Sequence, residues 1–244
     1  MLGLTVRRAL LVHAHPDDET LATGGTIARL LDDGCWVGVL TATRGERGDV
    51  VPGALPAGAD LVPTRLAELA SALGALGGVE HFFLGAPPAR AQGAAPRSYA
   101  DSGMRWSTAG LAVPVDEVTS DSLTAAPLDE VVGDMVAAIT ATAADLVISY
   151  DEPGGYGHPD HVLVHRAALA AARADGVPFA EVVPPALAGN LEGVLTVDVG
   201  RQRTRVTRAL GAYRTQLEQV APDHVVHVGG QRQDLPTVEY FRLR

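Results

Sequence analysis

Two short stretches of this chain hold residue types that could do chemistry together. The first is His15-Pro16-Asp17-Asp18-Glu19, which follows the apolar run Ala9–Val12 and precedes a helical pattern through Ile27, Leu30 and Leu31. The second is Gly155-Tyr156-Gly157-His158-Pro159-Asp160-His161, set between an apolar run from Asp145 to Tyr150 and a helical pattern from Val162 to Arg173. A proline at a first helical position has its φ already set, so His15 falls at or just before a helix start. Asp18, three residues on, lies over the same first turn. An imidazole and a carboxylate presented together make two thirds of a metal site, with Asp17 a spare carboxylate beside it. Either stretch alone could be helix capping, favoured further by the positive end of the helix dipole. As a pair, at two strand-to-helix junctions, they offer His, Asp and His as ligands, with one carboxylate and one histidine left over.

Two imidazoles, one carboxylate and an open position form a catalytic zinc arrangement. Zinc lowers the pKa of a bound water towards about 7 and polarises a carbonyl beside it. Asp17 is then placed to take the water's proton as general base, with His158 supporting the oxyanion and protonating a leaving amine. Asp160 is a candidate to orient a histidine and raise its basicity. These roles describe amide hydrolysis. The same ligand set suits a ferrous oxygenase, but a base such as Asp17 has no obvious task in oxygen activation. A module holding a nucleotide or phosphate at strand ends, without turnover, would not need the base at all.

The elements that must position these residues alternate between strand and helix. Strands are expected at Arg8–His13, Trp36–Ala42, His81–Leu84, Asp145–Tyr150 and Val194–Val199. Helices are expected at Asp17–Asp33, Thr64–Leu76, Leu128–Ala143, Pro159–Ala174 and Arg201–Gln219, the last with Val206, Leu210, Tyr213 and Leu217 on one face. Val225–Val228 and Val238–Leu243 read as short β runs, and Asp175–Gly193 carries no readable period. Gly24-Gly25 is not a dinucleotide fingerprint and suggests close packing of its helix on the sheet. The alternation predicts an α/β, Rossmann-like fold: a mainly parallel sheet with helices on both faces and ligands at the carboxyl ends of the strands. If the first and fourth strands flank the point where strand order reverses, their two loops face each other across a crevice. Residues 85–127, rich in proline and glycine yet carrying Tyr99, Met104 and Trp106, read as an ordered functional loop.

At 244 residues, with 47% hydrophobic residues, the chain suits a single domain, residues 1–244, with a sizeable core. A net charge of -10 argues against a nucleic-acid or anionic-membrane partner. All 19 basic residues are arginine, which excludes lysine-based catalysis. The single cysteine, Cys35, permits no intrachain disulfide and reads as a buried small hydrophobe. No run reaches membrane-span length and no signal peptide is recognisable, so a cytoplasmic location is expected. Histidines 81, 165, 224 and 227 are expected on the surface or in packing roles. A homo-oligomer is left open.

The paired motifs resemble the LmbE-like (PIG-L) zinc deacetylase family. The similarity continues through Gly45-Glu46-Arg47-Gly48, Arg65 with Glu68-Leu69, Leu84-Gly85, Ala209-Leu210 with Tyr213 and Gln216, and Glu239-Tyr240-Phe241. The resemblance implies hydrolysis of N-acetyl groups on glucosamine-type sugars. It implies His15, Asp18 and His161 as zinc ligands, Asp17 as base and His158 as acid or oxyanion support. Tyr99-x-Asp101-Ser102-Gly103-Met104 resembles the mycothiol branch of the family, both its N-acetylglucosaminyl-inositol deacetylases and its conjugate amidases. That likeness implies a sugar pocket lined by Asp49, Arg65, Asp101, Met104 and Tyr156. An amidase acting on a larger acyl group, and a related amino sugar from another pathway such as antibiotic assembly, are the alternatives it leaves.

Overall fold

The computed structural model describes residues 5–108 and 110–244. In chain order the first half comprises β1 (Arg8–His13), α1 (Asp18–Asp32), β2 (Trp36–Thr41), α2 (Leu61–Leu76), β3 (Glu80–Phe83), β4 (Met104–Trp106) and β5 (Ala112–Pro114). Then come α3 (Leu128–Thr142), β6 (Leu146–Ser149), α4 (Pro159–Asp175), β7 (Phe179–Val183), α5 (Pro185–Ala188) and β8 (Val194–Asp198). The chain continues through α6 (Arg203–Leu210), β9 (Leu217–Val220), β10 (His224–His227), β11 (Arg232–Asp234) and β12 (Val238–Leu243).

The main sheet has the order β3-β2-β1-β6-β7-β12-β8. β1 pairs in parallel with β2 on one side and β6 on the other, whereas β12 runs antiparallel to both its neighbours. The strand order therefore reverses between β1 and β6. The fold is the expected mainly parallel α/β sheet. Ala9–Val12 of β1 is apolar without interruption because both faces of the strand are covered. Leu11 packs with Ile27, Leu73 and Leu210 of α1, α2 and α6, while Leu10 and Val12 pack with Met135 and Ala168 of α3 and α4. No helix among the described residues is long and apolar enough to cross a membrane.

Several boundaries differ from the sequence reading. The helix expected to run to Gln219 stops at Leu210, and Leu217 belongs to β9. Val206, Leu210, Tyr213 and Leu217 are all buried, so the apolar spacing is real but serves two elements. The Glu68 carboxylate accepts both the backbone N–H and the hydroxyl of Thr215, at 2.8 and 2.6 Å, satisfying groups a longer helix would have used. The unreadable stretch contains β7, whose pattern is masked by Glu181. That residue is fully buried and paired with Arg242 of β12 and with Arg244 just after it, at 2.7 and 2.8 Å. α2 begins at Leu61, ahead of Pro63, which a first helical turn tolerates. Cys35 is half-buried, its thiol donating to the Val6 carbonyl.

The long loop contains the β4–β5 hairpin and is anchored on α3. Tyr99 is fully buried and donates to Asp134 at 2.8 Å, and Arg90 bridges Glu130 and Asp134. Gly25 lets α1 approach β12: a Cβ there would lie 2.6 Å from Glu239 Oε1 and from Val199 Cβ. Gly24 leaves ordinary contact distances.

Candidate active site

Because β1 and β6 are sheet neighbours, the loops leaving their carboxyl ends meet. His15 Nδ1 lies 3.2 Å from Asp18 Oδ2, His161 Nε2 lies 3.3 Å from the same oxygen, and the two ring nitrogens are 3.3 Å apart. Zinc–ligand bonds of about 2.0–2.1 Å in tetrahedral geometry place neighbouring donors roughly 3.3 Å apart. The triangle of donor atoms therefore has the spacing that a tetrahedral ion would require. His158 also approaches, its donor atom grouping with those of His15 and His161 within 4.8 Å.

Each donor is held from behind. His15 Nε2 lies 3.1 Å from Asp160 Oδ2, which also accepts the Ser102 N–H at 2.9 Å. Asp18 Oδ2 accepts the His15 N–H and the Tyr150 hydroxyl, at 2.9 and 2.7 Å. The Tyr150 ring stacks on His161 with centroids 4.1 Å apart. Burial would pull the His15 imidazole down, but Asp101, Asp160 and Asp18 around it hold its pKa well above the ordinary value. Burial would raise Asp18, and His161 and His15 instead keep it well below the usual carboxylate range.

Asp17 is the exception to expected local structure. Pro16 does not open the helix; α1 starts at Asp18, and Asp17 precedes it at φ 105, ψ -33. Asp17 lines the crevice beside His15 and Asp18. Burial, followed by the nearby Asp18 and Glu19 carboxylates, pushes the Asp17 pKa well above the usual range. At the second motif the expected helix start is present: His158 is the N-cap of α4 and Pro159 its first residue. His158 Nδ1 accepts the Asp160 N–H at 3.2 Å, so the neutral ring carries its proton on Nε2. Burial, then the neighbouring His15 and His161, bring its pKa down to about 3.

His15, Asp17, Asp18 and His158 line a crevice of about 440 Å³, together with Asp49, Arg65, Asp101, Met104 and Tyr156. Arg65 is buried, and its guanidinium donates to the Gly45, Gly48 and Asp49 carbonyls, shaping the loop after β2. Asp101 is buried too, its Oδ1 accepting the Gly103 N–H at 2.8 Å and lying 3.6 Å from His15 Nε2. Tyr156 is 44% exposed at the mouth, beside Trp106, which is 47% exposed, with ring centroids 5.7 Å apart. Gly157 stands at φ 94, where a Cβ would meet the Ala112 carbonyl at 3.1 Å, letting the motif pass under the β4–β5 hairpin.

Sequence reasoning missed three contributors. Tyr150 was read only as a strand end. Arg47 donates to the Asp101 carbonyl and to Ser122 Oγ, tying two loops of the crevice together. The β10–β11 turn, with His227, Gln231 and Gln233, forms the far wall. Of the other histidines, His165 packs with its Nδ1 2.8 Å from the Tyr150 carbonyl, and His81 pairs with Thr41.

A mainly parallel sheet thus presents a cluster of potential metal donors at its switch point, where open α/β sheets bind their ligands. The profile of the PIG-L family, described as GlcNAc-PI de-N-acetylase, matches residues 10–172. The chain belongs to this family. A 1D-myo-inositol 2-acetamido-2-deoxy-alpha-D-glucopyranoside deacetylase of Saccharomonospora viridis is 34% identical over 96% of this chain and 94% of its own length. The enzyme of that name from Kineococcus radiotolerans is 45% identical over 70% of this chain but only 46% of its own length. Measured against that relative, the chain spans about half the length; against the first, nearly all of it. A solved deacetylase of the teicoplanin biosynthesis pathway superposes with TM-score 0.60 at 24% identity, covering 85% of this chain and 84% of its own, which speaks to the fold.

Proposed function

We propose that residues 1–244 act as a single metal-dependent N-deacetylase domain that removes the acetyl group from an N-acetylglucosamine-type conjugate. The observation that carries this reading is the near-equilateral donor triangle of His15, Asp18 and His161, with Asp17 and His158 beside it. Zinc fits that donor set, and ferrous iron is the alternative it accepts. A metal held there supplies an acidified water and polarisation of the amide carbonyl.

The chain's own residues do the rest. Asp160 fixes His15 with its proton on Nε2, leaving Nδ1 as the donor to metal. Asp17 takes a proton from the attacking water as it adds to the amide carbon, its raised pKa suiting a base that later returns the proton. His158 donates from Nε2 to the developing oxyanion. When the C–N bond breaks, the amine leaves with a proton and acetate remains. Asp101, Met104 and Tyr156 line the space for the sugar, with Asp49 and Arg65 shaping its floor and residues 85–127 selecting the substrate. The relatives' names support an N-acetylglucosaminyl-inositol as the first substrate to try. The same machinery would serve an amidase acting on a larger acyl group.

The test is metal content after purification together with amine release from N-acetylglucosaminyl-inositol and from N-acetylglucosamine. One metal per chain with amine release supports the reading. Metal-free protein that releases no amine from any N-acetyl sugar overturns it.

A further inference from the structure

Among the described residues only two non-glycine residues have positive φ, Asp17 and Ala143. Ala143 is a left-handed C-cap, an ordinary way to end a helix. Asp17, at φ 105 and ψ -33, lies outside the left-handed helical region, and such a conformation persists only where its surroundings over-determine it. Its carbonyl accepts the N–H groups of Thr20 and Leu21, as the start of α1 requires. Its own N–H has a less ordinary partner, the Glu19 carboxylate oxygen Oε2 at 3.1 Å.

Glu19 is fully buried and forms no ion pair with any of the described residues. Its second oxygen accepts the hydroxyls of Thr20 and of Tyr213, the latter 194 residues further along the chain and itself fully buried. A buried carboxylate is costly unless its oxygens are satisfied, and here three donors satisfy it. An apolar side chain would fill the same space without that cost, but would leave the Asp17 N–H without an acceptor. Thr23 adds a further tie, donating to the Glu19 carbonyl at 2.9 Å.

We propose that Glu19, locked by Tyr213, is a positioning residue that holds the Asp17 backbone in its positive-φ conformation and so aims the Asp17 carboxylate over the crevice. The catalytic part of this inference rests on Asp17 being the base; the conformational part does not. Glu19 does not line the crevice, but it is bonded to Asp18, so metal content read beside the rate separates an effect through Asp17 from one on the triangle.

The experiment compares Glu19→Leu, Glu19→Gln and Tyr213→Phe with the parent protein, by crystal structure, metal content and steady-state kinetics on an N-acetylated glucosamine substrate. Gln keeps an oxygen for the Asp17 N–H, whereas Leu does not. In Glu19→Leu, Asp17 is expected to relax to negative φ, and kcat to fall about 100-fold with KM and metal content unchanged. Tyr213→Phe should fall part of the way, and Glu19→Gln should restore most of the rate. Asp17 remaining near φ 105 in Glu19→Leu overturns the proposal whatever the activity. So does a Glu19→Leu or Tyr213→Phe protein with the parent kcat, or one whose lost activity tracks lost metal. Should Glu19→Leu fail to fold, Tyr213→Phe carries the same comparison. A parent protein that binds metal but releases no amine counts against the deacetylase reading, and the Asp17 geometry in the variants still decides this one.

Discussion

His15 Nε2 and Asp160 Oδ2 lie 3.1 Å apart, although 145 positions separate them in the chain. The contact joins the two motifs directly: a first-turn residue of α4 orients a ligand candidate just ahead of α1. Asp160→Ala should leave His15 free to rotate and weaken metal binding by about 10–100-fold. Chelator competition against the parent protein measures this, and unchanged affinity would remove Asp160 from the site.

Asp17 and Asp18 are adjacent, but it is Asp18 whose oxygen lies 3.2 and 3.3 Å from the His15 and His161 ring nitrogens, so their substitutions must have different outcomes. Asp17→Asn keeps the shape but cannot accept a proton; turnover should drop by about 10²–10⁴ with metal near one per chain. Asp18→Ala removes a corner of the triangle and should lose metal and activity together. Metal analysis of both proteins beside their rates makes the comparison, and the reverse pattern would refute the assignment.

Glu239 offers a pH prediction well away from the metal triangle. Its carboxylate accepts the N–H groups of Gly25 and Thr26, both at 2.9 Å, and burial pushes its pKa from 4.5 up to about 7. A carboxyl raised on folding keeps its proton in the native state after the unfolded chain has lost it. Its contribution to stability is therefore full below pH 4.5 and falls as the pH rises to about 7. The span corresponds to about 3 kcal/mol. Urea unfolding of the parent and Glu239→Gln at pH 5 and pH 7.5 isolates this group; equal pH slopes in the two proteins would rule it out.

Gly25→Ala sets two effects against each other. Alanine favours a helix interior over glycine by about 1 kcal/mol. Against that, the new Cβ would overlap Val199 Cβ and Glu239 Oε1, each 2.6 Å away, and a Cβ, fixed by its backbone, cannot swing clear. Overpacking of this kind costs about 1–3 kcal/mol and should win. A lower Tm is expected, and an unchanged or raised Tm would show that α1 can lift from the sheet at little cost.

Trp106→Ala tests the crevice mouth. Loss of its ring beside Tyr156 should raise KM for substrates that extend beyond the amino sugar, by about 1–3 kcal/mol, with kcat nearly constant. Equal KM changes for N-acetylglucosamine and for a longer conjugate would show that the pair does not select.

What the chain's sequence disclosed was the local part of this architecture. The apolar runs before His15 and His158, the paired histidine and aspartate spacing, and the helices through Leu30 and Val164 are all local patterns, and each has its counterpart in the structure. Contacts made at long range left no such trace. Glu181 hides β7 because only Arg242 and Arg244 make a buried carboxylate there tolerable. The positive φ of Asp17 is invisible beside Pro16, which predicts an ordinary helix entry. Tyr150 and the β10–β11 turn reach the site through folding alone, with no motif to mark them.

The place of β12 bears on how the chain is made. It lies between β7 and β8 in the sheet but follows both in the chain. Until residues 238–243 have left the ribosome, β8 has no partner and β7 presents an open edge. Glu181, meanwhile, awaits both of its arginines. The half of the sheet that carries His15 and Asp18 can pair early, whereas the other half must wait for β12. A nascent chain arrested before Thr237 should therefore remain protease-sensitive from Phe179 onward and recruit holdase chaperones until elongation resumes.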